Sequence, residues 1–126
     1  MYRSVEIFRT SADMARHAGA RQALTSRNVA NADTPGYTAT HMVSFKDAVE
    51  LTPATQMRAT RPGHISPIHN QYQPAVVKTS AEPSPNGNSV SIEEEMMQAV
   101  ANQREHNRAL AIYRHGLTIL RSTLGK

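Results

Sequence analysis

The last third of the chain carries a periodic line of residues that constrains its fold more than any other feature. The members recur at alternating steps of four and three, the period with which one helix presents a continuous stripe to another. Most of them are apolar, so we expect the stripe to be buried. The line consists of Ile92, Met96, Ala99, Gln103, His106, Leu110, Tyr113, Leu117, Leu120 and Leu124. The sequence therefore predicts one long helix that packs lengthwise against a partner helix.

The start of this helix is marked by Ser91. Its hydroxyl can accept a hydrogen bond from an unpaired backbone N–H of the first turn, while Glu94 can reach back to the cap residue, which together form a capping box. Glu93, Glu94 and Glu95 then lie at the positive end of the helix dipole, and Arg121 lies near the negative end. The helix cap, the charge distribution and the 3.5-residue period therefore all predict a C-terminal helix within residues 89–126.

The N-terminal segment carries a similar stripe with smaller side chains. Its members are Val5, Phe8, Ala12, Ala15, Gly19, Gln22, Ser26 and Val29. The small residues at its centre would let a neighbouring helix approach closely, although Gly19 costs helix propensity. The two stripes predict an all-α fold in which long N- and C-terminal helices, residues 1–31 and 89–126, pair as a coiled coil. The alternative is that residues 1–31 form a marginal amphipathic helix on the surface of a small domain.

The first helical period stops abruptly at a run of turn-forming residues. Asn31 can take the left-handed conformation that closes a helix, and Pro35-Gly36 suits the two central positions of a type II turn. The sequence therefore predicts a structural turn that fixes the direction in which the chain leaves its first helix. This turn signature comprises Asn28, Asn31, Ala32, Asp33, Thr34, Pro35, Gly36 and Tyr37.

Between this turn and the final helix the patterns are weaker. The segment 32–51 combines the turn with a short helix at 44–51, for which Ser44 and Asp47 are a capping pair. Residues 52–88 are rich in Pro, Ser, Thr and Asn, which predicts an irregular segment that is either flexible or ordered by neighbouring subunits. Within it, residues 74–79 are the candidate for a short strand.

The composition limits both the core and the set of partners. The chain has two Phe and no Trp among its 126 residues, so we expect packing against other subunits to supply much of the stability. The net charge is +4, but the Arg residues are dispersed among Glu and Asn, so we expect no nucleic-acid partner. The N-terminus lacks the apolar run of a cleavable signal peptide, and no uncharged stretch is long enough for direct membrane insertion.

Residues that could support catalysis or metal binding are scattered. None of the six His residues forms the close pair with a third ligand that zinc sites usually display. Three consecutive glutamates point around a helix and cannot converge on one substrate, and neither a nucleophile elbow nor a phosphate-binding glycine loop is present. We therefore predict no enzymatic activity, no cofactor and no metal site.

The run Asn31-Ala-Asp-Thr-Pro-Gly-Tyr37, followed by Phe45, closely resembles the signature after the N-terminal helix of bacterial flagellar axial proteins, the rod, hook and hook-associated family. Residues 87–97 are similar to the entry of the C-terminal helix in the rod members. The resemblance implies a structural subunit of the proximal rod that assembles helically, transmits torque and lines the export channel. Implied partners are copies of itself, other rod proteins, the membrane-ring protein or its adaptor, and the flagellar export apparatus. The implied location is the periplasmic rod of the basal body, reached without a cleaved signal peptide.

A second hypothesis fits the amphipathic ends equally well. A small cytoplasmic helical adaptor or chaperone-like binding module would also carry two such helices, but it would not require the turn signature between them. The adaptor predicts a defined small oligomer in solution. The rod subunit predicts a monomer whose terminal helices become ordered on polymerisation.

Overall fold

A computed structural model of the chain describes residues 2–50, 75–79 and 82–125. Two long helices run lengthwise against each other, and a two-stranded sheet with a short helix lies beside them. This arrangement confirms the predicted helical fold class. The elements are α1 (Tyr2–Ala30), β1 (Thr40–Met42), α2 (Phe45–Glu50), β2 (Val76–Lys78) and α3 (Ile92–Thr123).

Helix α3 begins directly after Ser91, as predicted. Ser91 has extended backbone angles, and its Oγ accepts a hydrogen bond from the Glu94 amide at 3.4 Å. The same hydroxyl donates to Oε2 of Glu93 at 3.2 Å, so the carboxylate that contacts the cap belongs to Glu93 and not to Glu94. At the other end the Leu124 amide bonds to the Leu120 carbonyl, and Gly125 takes a φ of 72°, the left-handed conformation that commonly closes a helix.

The sheet pairs two strands that are far apart in sequence. Strand β2 lies within the predicted strand 74–79 and pairs antiparallel with β1, with Thr40 opposite Lys78 and Met42 opposite Val76. Two further backbone bonds extend the pairing, one of them from the Thr79 amide to the Ala39 carbonyl at 2.9 Å. Strand β1 was not predicted, because its three residues carry no apolar alternation and follow directly on the turn.

Helix α2 confirms the predicted short helix after the turn. The Ser44 hydroxyl accepts a hydrogen bond from the Asp47 amide at 3.3 Å and donates to Oδ2 of Asp47 at 2.7 Å. Ala48 is buried, whereas Val49 remains about half exposed. The predicted capping pair therefore forms and sets where the chain turns back into a helix.

One flank of the helix pair is covered by the segment that contains β1 and α2. His17 of α1 is buried there, its Nε2 donates to the Val43 carbonyl at 3.0 Å, and its ring lies 5.6 Å from the ring of Phe45. Burial lowers the pKa of His17 below its ordinary value, because desolvation penalises the charged imidazolium more than the bond to Val43 favours it.

The contact between α1 and α3 follows a line one residue before each predicted stripe. On this line the buried residues recur every seven positions, at Ser11, Ala18 and Thr25 on α1 and at Glu95, Asn102 and Ala109 on α3. The side chains on this line are small or polar. Large apolar side chains would hold the two helices further apart. Thr25, Glu95 and Asn102 find hydrogen-bond partners across the contact, and Ser11 bonds to the Phe8 carbonyl of its own helix, so this line is the one that the fold buries.

The expectation that the apolar stripes are buried within the chain is therefore wrong for several members. The exposed ones are Ile92, Met96, Gln103, Tyr113 and Leu124 on α3 and Gly19, Ser26 and Val29 on α1. The half-buried ones are Ala99, His106, Leu110, Leu117 and Leu120 on α3 and Phe8, Ala12, Ala15 and Gln22 on α1. The side chain of Val5 is not among those that the structure describes. Whether these stripes are buried in a larger assembly stays a prediction.

The predicted segment boundaries at residues 31, 51 and 88 also stay predictions. Most of the Pro-rich segment 52–88 lies outside the described residues, and with it the prediction of an irregular or neighbour-ordered structure.

Candidate functional site

The turn signature lies against the chain that leads into α3, and this contact is called the junction here. It comprises residues 28–40 on one side and residues 84–95 on the other. Within it, Gly36 has a φ of 72°, and the Tyr37 amide donates to the Thr34 carbonyl at 3.3 Å. These are the positive φ and the closing bond that a type II turn with Pro35 and Gly36 at its centre requires.

Asn31 ends α1 in a way that differs from the prediction. No non-glycine residue in the described part of the chain has a positive φ, so Asn31 is not left-handed. Its side chain closes the helix instead, because Nδ2 donates to the Arg27 carbonyl at 2.8 Å. Its backbone amide also donates to the Arg27 carbonyl and to the Asn28 carbonyl. The amide side chain thus satisfies a helix-end carbonyl that a left-handed residue would otherwise help to satisfy.

Asn88 joins the two sides of the junction. It is 3% exposed, and its Nδ2 lies 2.9, 2.7 and 2.8 Å from the carbonyl oxygens of Asn31, Ala32 and Thr34. An amide group has two hydrogens, so three carbonyls share two donors. Its Oδ1 accepts from the Val90 amide at 2.7 Å. A single side chain therefore ties the turn after α1 to the residues that lead into α3.

Two glycines let the backbones meet. The Gly36 amide donates to the Asn86 carbonyl at 3.0 Å, and Gly87 has a φ of 79°. A Cβ at position 87 would lie 3.3 Å from the Gly36 Cα, closer than most side chains tolerate. The Ser89 amide bonds to the Tyr37 carbonyl at 3.0 Å, so the contact continues beyond the glycines.

Asn28 is fully buried where α1, the turn, β1 and α3 meet. Its Nδ2 donates to the Thr40 carbonyl at 3.0 Å and to Oε1 of Glu95 at 2.8 Å. Its Oδ1 accepts from the Thr40 amide at 3.2 Å and from the Tyr37 hydroxyl at 3.1 Å. The amide thus pairs with both backbone groups of Thr40, as a neighbouring strand would, and uses its complete hydrogen-bonding capacity.

Glu95 places a carboxylate inside this junction. It is 1% exposed, and its Oε1 lies 3.5 Å from Nε2 of His41, which completes an ion pair when the imidazole is protonated. Its Oε2 has no hydrogen-bond partner among the described residues. A buried carboxylate is costly unless it is paired, so Glu95 depends on Asn28 and His41.

Polar contacts continue along the helix pair away from the junction. Nη1 of Arg21 donates to Oε2 of Glu105 at 2.9 Å, and its Nη2 donates to Oε1 of Gln98 at 3.0 Å. Nδ2 of Asn102 donates to the Thr25 hydroxyl at 3.3 Å. These bonds fix the register of the two helices, because each requires a specific pair of positions to be opposite each other.

The opposite end of the helix pair is apolar. The rings of Phe8 and Tyr113 meet edge to face with centroids 5.2 Å apart. Gly116 makes room for this contact, because a Cβ there would lie 3.1 Å from the Phe8 ring. This contact is a packing contact without hydrogen bonds that would fix a register.

Around much of its circumference, helix α3 presents exposed apolar side chains to solvent, and this set of residues is called the outward face here. It comprises Ile92, Met96, Met97, Val100, Ile112, Tyr113, Ile119 and Leu124. Each is at least 40% exposed in the single chain, which is unusual for so many large apolar residues on one helix. The outward face is therefore a candidate contact surface for another protein chain.

The described residues hold no group of three His, Asp or Glu side chains that could bind a metal ion. Among the three consecutive glutamates, Glu93 and Glu94 are exposed while Glu95 points into the junction. No described helix is both long and apolar enough to cross a membrane.

Sequence reasoning named the eight turn residues and the α3 cap as separate local features. It did not predict that the turn meets the chain leading into α3, and it missed Asn88 and the role of Glu95. The sequence feature that could have indicated Asn88 is its position between Gly87, in a turn, and Ser91, the cap of α3. Glu95 was read as a complement to the helix dipole, because a single sequence does not reveal which side of the first turn faces inward.

Comparison with known proteins adds one match. Residues 15–38 match the family described as flagella basal body rod protein. The matched stretch contains the second half of α1 and the whole turn signature, about a fifth of the chain. No curated protein matches the chain. The family is structural, and the match supports a role in the flagellar basal-body rod.

Proposed function

We propose that this chain is a structural subunit of the bacterial flagellar rod, in its proximal part, and that it is of the FlgB type. The proposal rests on one observation: the residues that match the rod family include one side of the junction. The matched residues include Asn28 and the turn 31–37, which Asn28 and Asn88 connect to α3. The resemblance of residues 87–97 to the C-terminal helix entry of rod proteins concerns the other side of the same junction.

The outward face supports the assembly part of the proposal. Apart from the Phe8–Tyr113 contact, the fully buried residues between α1 and α3 are small or polar, and eight large apolar side chains of α3 remain at least 40% exposed. Burying such side chains contributes about 1.5–3 kcal/mol each. Copies of this chain and other rod proteins are the partners that would cover them in a helical array, in which each contact joins different faces of neighbouring subunits.

Further parts of the proposal concern the position of the subunit in the rod and the route by which it is exported. The subunit would contact the membrane-ring protein or its adaptor at the base of the rod and other rod proteins beyond. It would reach the periplasmic rod through the flagellar export apparatus without a cleaved signal peptide, where it would transmit torque and line the export channel. These parts rest on the resemblance of the two ends of the chain to rod proteins.

Electron microscopy of basal bodies from a strain that lacks the gene tests this proposal. We expect membrane rings without a rod, and complete rods when the intact gene is restored. A strain that carries the Asn107→Ala variant is the matched control, because Asn107 is an exposed polar residue of α3. Complete rods and hooks in the deletion strain would refute the proposal, and the cytoplasmic adaptor would then become the leading hypothesis.

A further inference from the structure

The junction contains the dipeptide Asn86-Gly87, both residues of which are exposed. In an Asn-Gly pair the backbone nitrogen of the glycine can approach the side-chain carbonyl carbon of the asparagine, because no Cβ obstructs it. Asn is for this reason among the thermally labile residues of proteins. The chemical question is whether the folded junction promotes or prevents this approach.

We propose that Asn86 is a self-modification site whose deamidation is held back by docking of the turn signature. In the reaction the Gly87 nitrogen loses its proton and attacks Cγ of Asn86. A C–N bond forms, the bond from Cγ to the amide nitrogen breaks, and ammonia leaves a five-membered succinimide. Water then opens one of the two ring carbonyls, which yields either aspartate or isoaspartate. No oxidant or reductant takes part.

Three hydrogen bonds keep the Gly87 nitrogen and the Asn86 side chain out of the geometry that this attack requires. The Gly87 amide donates to the Ser84 carbonyl at 2.7 Å, which retains the proton that must leave. Oδ1 of Asn86 accepts from the Asn88 amide at 3.0 Å, which fixes the side chain that must rotate. The Asn86 carbonyl accepts from the Gly36 amide at 3.0 Å, so the docked turn itself restrains the peptide group that reacts.

The isoaspartate product would change the junction irreversibly. In isoaspartate the main chain runs through the former side-chain carbonyl, which inserts one extra carbon between residues 86 and 87. Asn88 would then be displaced from the three carbonyls that its Nδ2 contacts at 2.7 to 2.9 Å. A subunit that stays undocked for long would therefore lose the ability to dock its turn.

The test follows deamidation of the full-length chain in neutral buffer, with and without guanidinium, by mass spectrometry. Trypsin releases the peptide 79–104, which also contains Asn88 and Asn102 as internal controls. We expect conversion at Asn86 to be at least about tenfold slower in the native chain, because reaction requires local opening of the junction. In guanidinium we expect Asn86 to react faster than Asn88. Equal rates in the native and denatured chains would overturn the proposal, as would equal rates at Asn86 and Asn88 in guanidinium.

Two variants separate docking from global stability. Gly36→Ala strains a residue with a φ of 72° although its Cβ would meet no atom within 4 Å, so the turn loosens without a steric clash. We expect this variant to deamidate faster than the native chain while its circular dichroism still shows both helices. An unchanged rate in that helical variant would contradict control by the turn. Asn86→Gln should yield no isoaspartate at position 86, because its longer side chain does not close the five-membered ring.

A final comparison isolates the effect of the extra main-chain carbon. The isoaspartate-86 chain, separated by ion exchange, carries the same charge as an Asn86→Asp variant. We expect the isoaspartate chain to unfold at a lower temperature than this variant. Equal unfolding temperatures would show that the inserted carbon does not disturb Asn88.

Discussion

The contact line between α1 and α3 and the outward face of α3 have opposite chemistry. The contact line buries Ser11, Ala18 and Thr25 against a line that contains Glu95 and Asn102. The outward face, whose members lie around much of the remaining circumference of α3, exposes large apolar side chains. An isolated globular domain usually has the reverse distribution. The difference indicates that the polar contact sets the register of one chain, whereas the apolar surface is available for contacts between chains.

The free energies of the two kinds of contact agree with this division of roles between the contact line and the outward face. A hydrogen bond within a protein contributes a net stabilisation of about 0.5–1.5 kcal/mol, less than the burial of one large apolar side chain. Breaking a buried polar pair nevertheless costs more than forming it gains, because the remaining partner is left unpaired. The contact line is therefore sensitive to single substitutions although it contributes modest net stability. Four predictions follow this comparison, ranked by their expected effect on the free energy of unfolding of the isolated chain.

Asn28→Ala should have the largest effect. It removes the amide that donates to Glu95 and pairs with both backbone groups of Thr40, which leaves a buried carboxylate without that donor. We expect a loss of about 3–5 kcal/mol, measured by chemical unfolding followed by circular dichroism. Asn107→Ala is the control and should change the free energy little. A loss below about 1 kcal/mol would show that the contact line does not depend on its buried amides.

Asn88→Ala should have the next largest effect. It leaves the carbonyls of Asn31, Ala32 and Thr34 without their shared donor, which water can replace in part at this edge of the molecule. We expect a loss of about 2 kcal/mol by the same measurement. We also expect amide hydrogen exchange to increase at Gly36 and Ser89, both of which donate across the junction. Unchanged exchange at these two amides would mean that Asn88 does not hold the turn.

The pH dependence of stability provides a third prediction. The pKa of His17 is lowered from its ordinary value of 6.5, chiefly by burial, so the unfolded chain binds its proton more readily than the folded chain. The stability that neutral His17 provides is therefore complete above pH 6.5 and declines as the pH falls from there towards the lowered pKa. His17→Gln should flatten this part of the profile in chemical unfolding across that range. The same slope in the variant would assign the dependence to another group.

Met96→Asp should have the smallest effect on the isolated chain. Met96 is 63% exposed, so we expect a change of at most about 0.5 kcal/mol in the free energy of unfolding. Under the proposed function the variant should nevertheless fail to enter the rod, because a charge would be buried between subunits. Immunoblots of purified basal bodies and motility in soft agar measure this. Asn107→Asp adds the same charge on a polar part of α3 and should be incorporated normally. Full motility of the Met96→Asp variant would exclude the surface around Met96 from assembly contacts.

Much of the local structure follows from short stretches of sequence. The period of residues 92–124 predicted α3, Ser91 its start, Ser44 and Asp47 the helix α2, and Pro35-Gly36 the turn. Each depends on interactions between residues a few positions apart, which a single sequence displays. Strand β1 and the clamp formed by Asn88 depend on partners more than thirty residues away, such as Val77 for β1 and Asn31 for Asn88, and these were missed.

The amino-acid sequence by itself determined that two long helices form and that each carries an apolar stripe, because helix caps and a 3.5-residue period are local properties. Only the tertiary structure decided that the neighbouring stripes, with Ser11, Ala18 and Asn102 among their members, meet inside the chain. The physical reason is that apolarity marks a surface for burial without specifying against which partner. Close helix approach and the bonds of Asn28, Arg21 and Asn102 select one face for full burial within the chain and leave the apolar stripes half-buried or exposed.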